Sequence, residues 1–214
     1  VRVIHNGIDP AIYIDAAPRP AGTPVIGYLA RLCPAKGLHT LIDAFITLRK
    51  DHPDTDCRLH IAGAATPADE PYIAEQRSKL DQAGLSGVVD ITPNINQEQK
   101  LAMLGSLTVL SVPATYGESF GLYVIEANAM GVPVVQPDHG AFPEVIGETG
   151  GGILYALDEP GDLVNKLKAV LNDKTLHEQL SRAGRARVLE HFTANRMAQQ
   201  IADTLETICP AALR

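Results

Sequence analysis

Four side chains have the types and surroundings to hold a charged, hydroxyl-rich ligand: Glu118, Glu126, Arg31 and Lys36. Glu118 directly precedes a helix expected to start near Ser119 and to end at Gly131. Glycine suits that left-handed C-terminal position, and Pro133 opens the next strand. Glu126 falls among Val124, Ile125, Ala127, Ala129 and Met130, on a helix apolar nearly all round and so expected to be buried. A buried carboxylate without a partner is costly, so Glu126 should have one. The helix start offers N–H groups from Phe120, Gly121 and Leu122, and Gly121 has no side chain to block an anion. A phosphorylated ligand with free hydroxyls fits such a site. The helix dipole alone also favours an acidic residue near an N-terminus, so Glu118 has a plainer reading as well.

Arg31 and Lys36 flank the loop after the first apolar strand, and Gly37 opens the helix behind it. Arginine can grip a diphosphate bidentately and lysine can meet it as a point charge. By themselves the two could equally be solvated surface charges. Their case strengthens once Glu118 to Leu122 fall on the same rim.

These residues must be positioned by an alternation of strands and helices. Apolar runs predict strands over 25–31, 58–63, 88–92, 107–112, 132–136 and 153–155. A further strand is expected over 1–9, ending in the Asn6-Gly7 turn, followed by a Pro/Ala-rich linker to residue 24. A helix with apolar Leu38, Leu41, Ile42, Phe45 and Leu48 follows the first loop. Others are expected over 71–83, 97–104, 119–130, a short turn after 144, and near 160–172, 174–191 and 194–208. The fold class is α/β: a doubly wound parallel sheet, Rossmann-like, of about six strands with C-terminal helices. In such sheets ligands bind at the carboxyl ends of the strands. Residues 27–36, 63–65, 93–96, 113–120 and 137–141 should therefore line one rim.

With 214 residues, 45% of them apolar, the chain has material for one large domain. A net charge of −7 and the lack of a Lys/Arg run argue against a nucleic-acid surface. No apolar run approaches the roughly 18 residues of a membrane span. Cys33, Cys57 and Cys209 match no zinc or disulfide spacing, which points to a reducing, cytoplasmic setting. Asp54-Thr-Asp56 looks like a metal-binding pair but belongs at the opposite end of the sheet, so no metal is expected. His139 is expected to be structural, and His5, His39, His52 and His60 show no ligand spacing. The chain begins at Val1 and reads as a fragment of something longer.

Ala30-Arg-Leu-Cys-Pro-Ala-Lys-Gly37 resembles the G-R-L-x-x-x-K-G segment of the retaining glycosyltransferases of family 4, the group 1 transferases. Glu118 to Glu126 resembles their E-x7-E motif, His5 to Asp9 their N-G-V-D, and Pro143-Glu-Val145 their P-E-V/I. The resemblance runs through essentially the whole chain in the family's order. It implies the donor-binding half of a two-domain GT-B enzyme, with residues 1–24 as interdomain crossover and linker and 25–214 as the donor domain. The acceptor half would lie outside this chain, and any peripheral membrane association would run through that half.

By the same resemblance, Arg31 and Lys36 would hold the donor diphosphate and Glu118 the transferred sugar. Glu126 would meet the ribose, and the N–H groups of Ser119, Phe120, Gly121 and Leu122 the sugar and distal phosphate. Gly27 and Ile95 complete the donor-binding set, Ile95 through its backbone to the base. Pro93-Asn94 stands where the family has glycine, and Ala30 where it has the glycine before arginine. No cofactor or divalent metal is implied; the donor is a nucleoside-diphosphate sugar. Two other readings stand beside this one: a nucleotide-sugar-binding module without catalysis of its own, and a GT-B sugar-nucleotide epimerase. A dehydrogenase is disfavoured, because no G-x-G-x-x-G follows the first strand.

Overall fold

The computed structural model describes residues 3–13 and 22–208. Its strands are β1 Val25–Leu29, β2 Arg58–Gly63, β3 Val89–Pro93, β4 Val109–Leu110, β5 Val134–Pro137 and β6 Gly152–Tyr155. All pair in parallel, in the order β3-β2-β1-β4-β5-β6. The helices are α1 Leu38–Asp51, α2 Glu70–Gln82, α3 Gln97–Ser106, α4 Leu122–Ala129, α5 Phe142–Thr149, α6 Asp162–Asn172, α7 Lys174–His191 and α8 Ala194–Ile208. This is the Rossmann-like, doubly wound α/β architecture expected. Its strand order reverses direction between β1 and β4, and at that switch point the loops leaving neighbouring strands diverge and leave a crevice.

The core explains the elements. In α1, the periodic Leu38, Leu41, Ile42, Phe45 and Leu48 are all buried, each contributing about 1.5–3 kcal/mol. The central strands are buried at nearly every residue, whereas β3, at the sheet edge, stays half open to solvent. Helix α1 packs on α2 and α6, and α4 on α5 and α7.

Four expectations change. The segment before Asp9 is not a strand where described: Ile8 makes one isolated bridge with Thr193, and its N–H and C=O bond Phe192 and Ala194. It therefore lies along the α7–α8 junction, away from the sheet. The linker region includes a 3-10 turn, Pro10–Tyr13, whose tyrosine is buried; residues 14–21 lie outside the described set. Strand β4 has only two residues, and α4 begins at Leu122, not Ser119, because residues 113–121 form the loop that carries Glu118. Gly27 lies inside β1, paired with His60 and Leu110. A Cβ there would meet a Leu107 methyl at 2.2 Å, so Gly27 lets the helix-to-strand connection pack on β1 and does not line the rim.

Candidate functional site

The loop after β1 is pinned from below and from the side. The buried Tyr28 hydroxyl donates to the carbonyls of Arg31 (2.9 Å) and Lys36 (3.3 Å). Pro34–Lys36 form a 3-10 turn that ends at Gly37, whose φ of 70° is left-handed. The backbone of Gly37 then runs so close to the β4 loop that a Cβ would stand 1.7 Å from the Pro113 carbonyl. The Thr115 N–H donates to the Ala35 carbonyl at 3.0 Å, so the two loops flanking the switch point are stitched together.

Across that seam Lys36 Nζ bonds Glu118 Oε2. The same carboxylate, itself buried, accepts from the Tyr123 hydroxyl at 3.2 Å and the Ser119 N–H at 3.2 Å, with the Tyr116 hydroxyl at 3.5 Å. Lys36 Nζ also lies over the Tyr116 and Tyr123 rings, 5.0 and 5.9 Å from their centroids, a geometry that attracts a cation. Burial alone would raise the Glu118 carboxyl. The hydrogen bond and charge of Lys36, then the Tyr123 hydroxyl, outweigh burial and hold it below the usual carboxylate range. Lys36 is pushed the other way: burial lowers it, but its bonds to Glu118 and Tyr116 leave it raised.

The linkage sign follows from those directions. A depressed carboxylate stabilises the fold above its ordinary value of 4.5, and that contribution disappears as pH falls through the folded value. The raised lysine contributes fully below 10.5 and loses its contribution above that. Melting profiles of the wild type and Glu118→Gln should therefore converge as the pH is lowered below 4.5 and separate towards neutrality. Parallel profiles across that range contradict the pairing.

Glu126 is only partly buried, because its carboxylate reaches the edge of α4, and it has two partners. The Tyr13 hydroxyl donates to its Oε1 at 3.0 Å and Lys100 Nζ at 2.6 Å. Burial, then the Glu126 charge, push the Tyr13 hydroxyl well above the ordinary phenol range, so it remains a donor. Tyr13 is in turn held through its carbonyl by Arg185 at 3.0 Å. The N–H groups of Phe120 and Gly121 have no partner among the described residues, whereas that of Ser119 is committed to Glu118. The loop after β5 closes the same rim: the Ala141 N–H donates to the Glu118 carbonyl at 2.9 Å, and His139 Nε2 lies 2.9 Å from the Ala114 carbonyl, the structural use expected of it.

Arg31 does not join Lys36 and Glu118; its Nη2 bonds Asp69. Ile95 follows β3 and lines a hollow of about 340 Å³ with His60, Thr92, Gln99 and Met103. Asn94, in place of glycine, takes a left-handed φ of 57°, a conformation asparagine tolerates better than most residues. Asp56 of the Asp54-Thr-Asp56 segment is paired with Arg49.

Sequence reading missed Tyr13, Lys100 and Asp69, which lie far from their partners in the chain. It also missed that His5 meets α5: Glu144 is 2.8 Å from its Nε2 and Glu148 3.7 Å from its Nδ1. Among the described residues, these are the three whose ligand atoms come close enough to hold a cation. The glutamates, however, take opposite nitrogens of one ring that packs on Phe120 and Phe192, so the imidazole lies between the two carboxylates. Among the described residues no helix is long and apolar enough to cross a membrane.

The Lys36–Glu118 pair thus spans the switch point of a doubly wound sheet, the place where α/β domains of this class bind their ligands. The chain belongs to the group 1 glycosyl transferases, whose family model matches residues 12–187. It is 33% identical over 196 residues to a Mycobacterium tuberculosis glycogen synthase, covering 90% of this chain and 45% of that protein. The C-terminal domain of a group 1 glycosyl transferase, LpcC, from Francisella tularensis is similar in structure. Its TM-score is 0.76 at 25% identity, covering 88% of this chain and all of that one. Anabaena Alr3699/HepE in complex with UDP-glucose gives a TM-score of 0.83 at 25% identity, over 96% of this chain and 57% of that one. The chain spans about half the length of the curated relatives it matches.

Proposed function

We propose that this chain is the donor-binding half of a retaining glycosyltransferase that uses a nucleoside-diphosphate sugar. The observation that carries the proposal is the Lys36–Glu118 pair across the β1–β4 crevice, followed in the chain by the N–H groups of Phe120 and Gly121, which have no partner among the described residues. The UDP-glucose complex of Alr3699/HepE supports this ligand class. In this reading Lys36 and Arg31 take the diphosphate, Glu118 the sugar hydroxyls, and Glu126 the ribose. Ile95 meets the base, and the amides of Phe120, Gly121 and Leu122 meet the distal phosphate and sugar, while Ser119 first serves Glu118. Negative charge building on the departing diphosphate is stabilised by cations and amides that are already in place. A front-face substitution through an oxocarbenium-like transition state then calls for no divalent metal, and Glu118 supports the positive charge on the sugar.

The acceptor belongs to the other half of the cleft, as does any peripheral contact with a membrane, and the setting is cytoplasmic. Residues before 25 serve as the crossover. Helix α8 turns Ile201, Leu205 and Ile208 to solvent; in this reading that face packs on the other half.

A thermal-shift screen against UDP-, GDP- and ADP-sugars tests the reading. At a hundredfold excess over Kd a specific donor adds about 2.7 kcal/mol, roughly 5–10 °C for a domain of this size. The chain alone transfers little or no sugar. No shift with any of these donors sinks the proposal, and robust turnover by the chain alone contradicts the half-cleft assignment. Epimerised nucleotide-sugar as the product would favour the epimerase reading.

A further inference from the structure

Arg31 is an exposed side chain, 55% accessible, on the rim of the β1 loop, and among the described residues its guanidinium is held from one side only. Its Nη2 donates to both oxygens of Asp69, at 3.1 and 3.3 Å. Asp69 is buried and cannot swing: its Oδ2 accepts from the Thr66 N–H at 2.8 Å and the Thr66 hydroxyl at 2.7 Å, and its own N–H returns to the Thr66 carbonyl at 2.9 Å. The 64–69 loop that carries this carboxylate is fixed in turn. The Leu32 N–H donates to the Ala64 carbonyl at 2.9 Å. On the far side, the Asn94 side chain takes both backbone groups of Ala65, accepting its N–H at 2.9 Å and donating to its carbonyl at 3.0 Å. The Asn94 N–H also donates to the Gly63 carbonyl at 2.8 Å. One continuous set of bonds thus joins the loop after β3, through the loop after β2, to the guanidinium beside the loop after β1.

We propose that Asp69 is a positioning residue: it fixes Arg31 by Nη2 and leaves its remaining N–H donors for an incoming diphosphate. A free arginine samples many rotamers and must be ordered when the anion arrives. One already gripped by a rigid carboxylate loses less on binding, because its planar fork is preorganised. The inference rests on the reading that Arg31 meets the donor diphosphate. It adds a residue that touches no substrate and acts through Arg31 alone. Thr66 and Asn94 support it by holding the loop on which Asp69 stands.

The test is a double-mutant cycle read by calorimetry on the whole chain, with UDP and uridine as probes. Arg31→Ala should weaken UDP about tenfold, the scale of a charge-assisted contact, and leave uridine unchanged. Asp69→Asn should weaken UDP severalfold, again sparing uridine, and should add nothing in the Arg31→Ala background. Thr66→Val retains the carboxylate but loosens it, and should show a smaller loss of the same UDP-only kind. Should Asp69→Asn fail to fold, Thr66→Val in the same cycle carries the test. An Asp69→Asn loss that is shared by uridine, or that persists in full without Arg31, makes Asp69 merely structural and overturns the proposal. An unchanged UDP affinity in Asp69→Asn does so too. If Arg31→Ala leaves UDP affinity intact, the diphosphate role of Arg31 fails first and the role of Asp69 falls with it.

Discussion

Replacing Lys36 with alanine is expected to weaken binding of a nucleoside diphosphate by about tenfold to a hundredfold, the scale of a lost charge-assisted hydrogen bond, while the parent nucleoside keeps its affinity. Two effects act in the same direction. The ammonium that would meet the phosphates is gone, and the Glu118 carboxylate loses the partner that outweighs its burial. A buried carboxylate left without its cation repels an incoming anion. Binding of UDP and uridine to the variant, compared by calorimetry, separates the diphosphate end from the rest. Equal losses for both ligands would count against Lys36 as a phosphate residue.

Gly37→Ala should be strongly disruptive for a change of a single methyl. A left-handed backbone costs an L-residue about 1–2 kcal/mol, and forcing a methyl against a packed neighbour about 1–3 more. Here that neighbour is backbone: the Pro113 carbonyl would lie 1.7 Å from the new Cβ, at a φ of 70°. The β1 and β4 loops must separate to relieve the contact, and that gap is the one the Lys36–Glu118 pair spans. Melting should fall by roughly 5–15 °C, scaling about 2–4 °C per kcal/mol for a chain of this size, and nucleoside-diphosphate affinity should fall with it. A melting temperature within a degree or two of wild type would mean that the loops are not closed on each other as described.

Most of the fold was legible because its signals are local. The strand at Arg58–Gly63 and the helices at Lys174–His191 and Ala194–Ile208 end where hydrophobic period and flanking residues place them. The misjudged segments are those whose conformation is decided by distant neighbours. Residues before Asp9 have the composition of a strand, yet their partner is the Phe192–Ala194 backbone at the other end of the chain. The start of α4 is delayed because residues 113–121 are drawn into bonds with Ala35, Ala141 and Lys36 instead of their own helix. Gly27 looked like a rim residue, but its lack of a side chain serves Leu107.

The site divides the same way. Glu118, Glu126, Arg31 and Lys36 could be picked out by type and spacing, and a carboxylate set in an apolar helix called for a partner. Nothing local said that the partners are Lys100, on another helix, and Tyr13, 113 residues away. Nor could spacing reveal that Arg31 turns to Asp69, which comes from the loop after a different strand.

The most direct test of the donor-site account is calorimetric titration of Glu126→Gln alongside the wild type, with a nucleoside diphosphate and its nucleoside. Loss of a charged acceptor for ribose hydroxyls predicts about tenfold weaker binding of both ligands, in contrast to the diphosphate-only loss of Lys36→Ala. Unchanged affinity of Glu126→Gln for both would contradict the account at its centre.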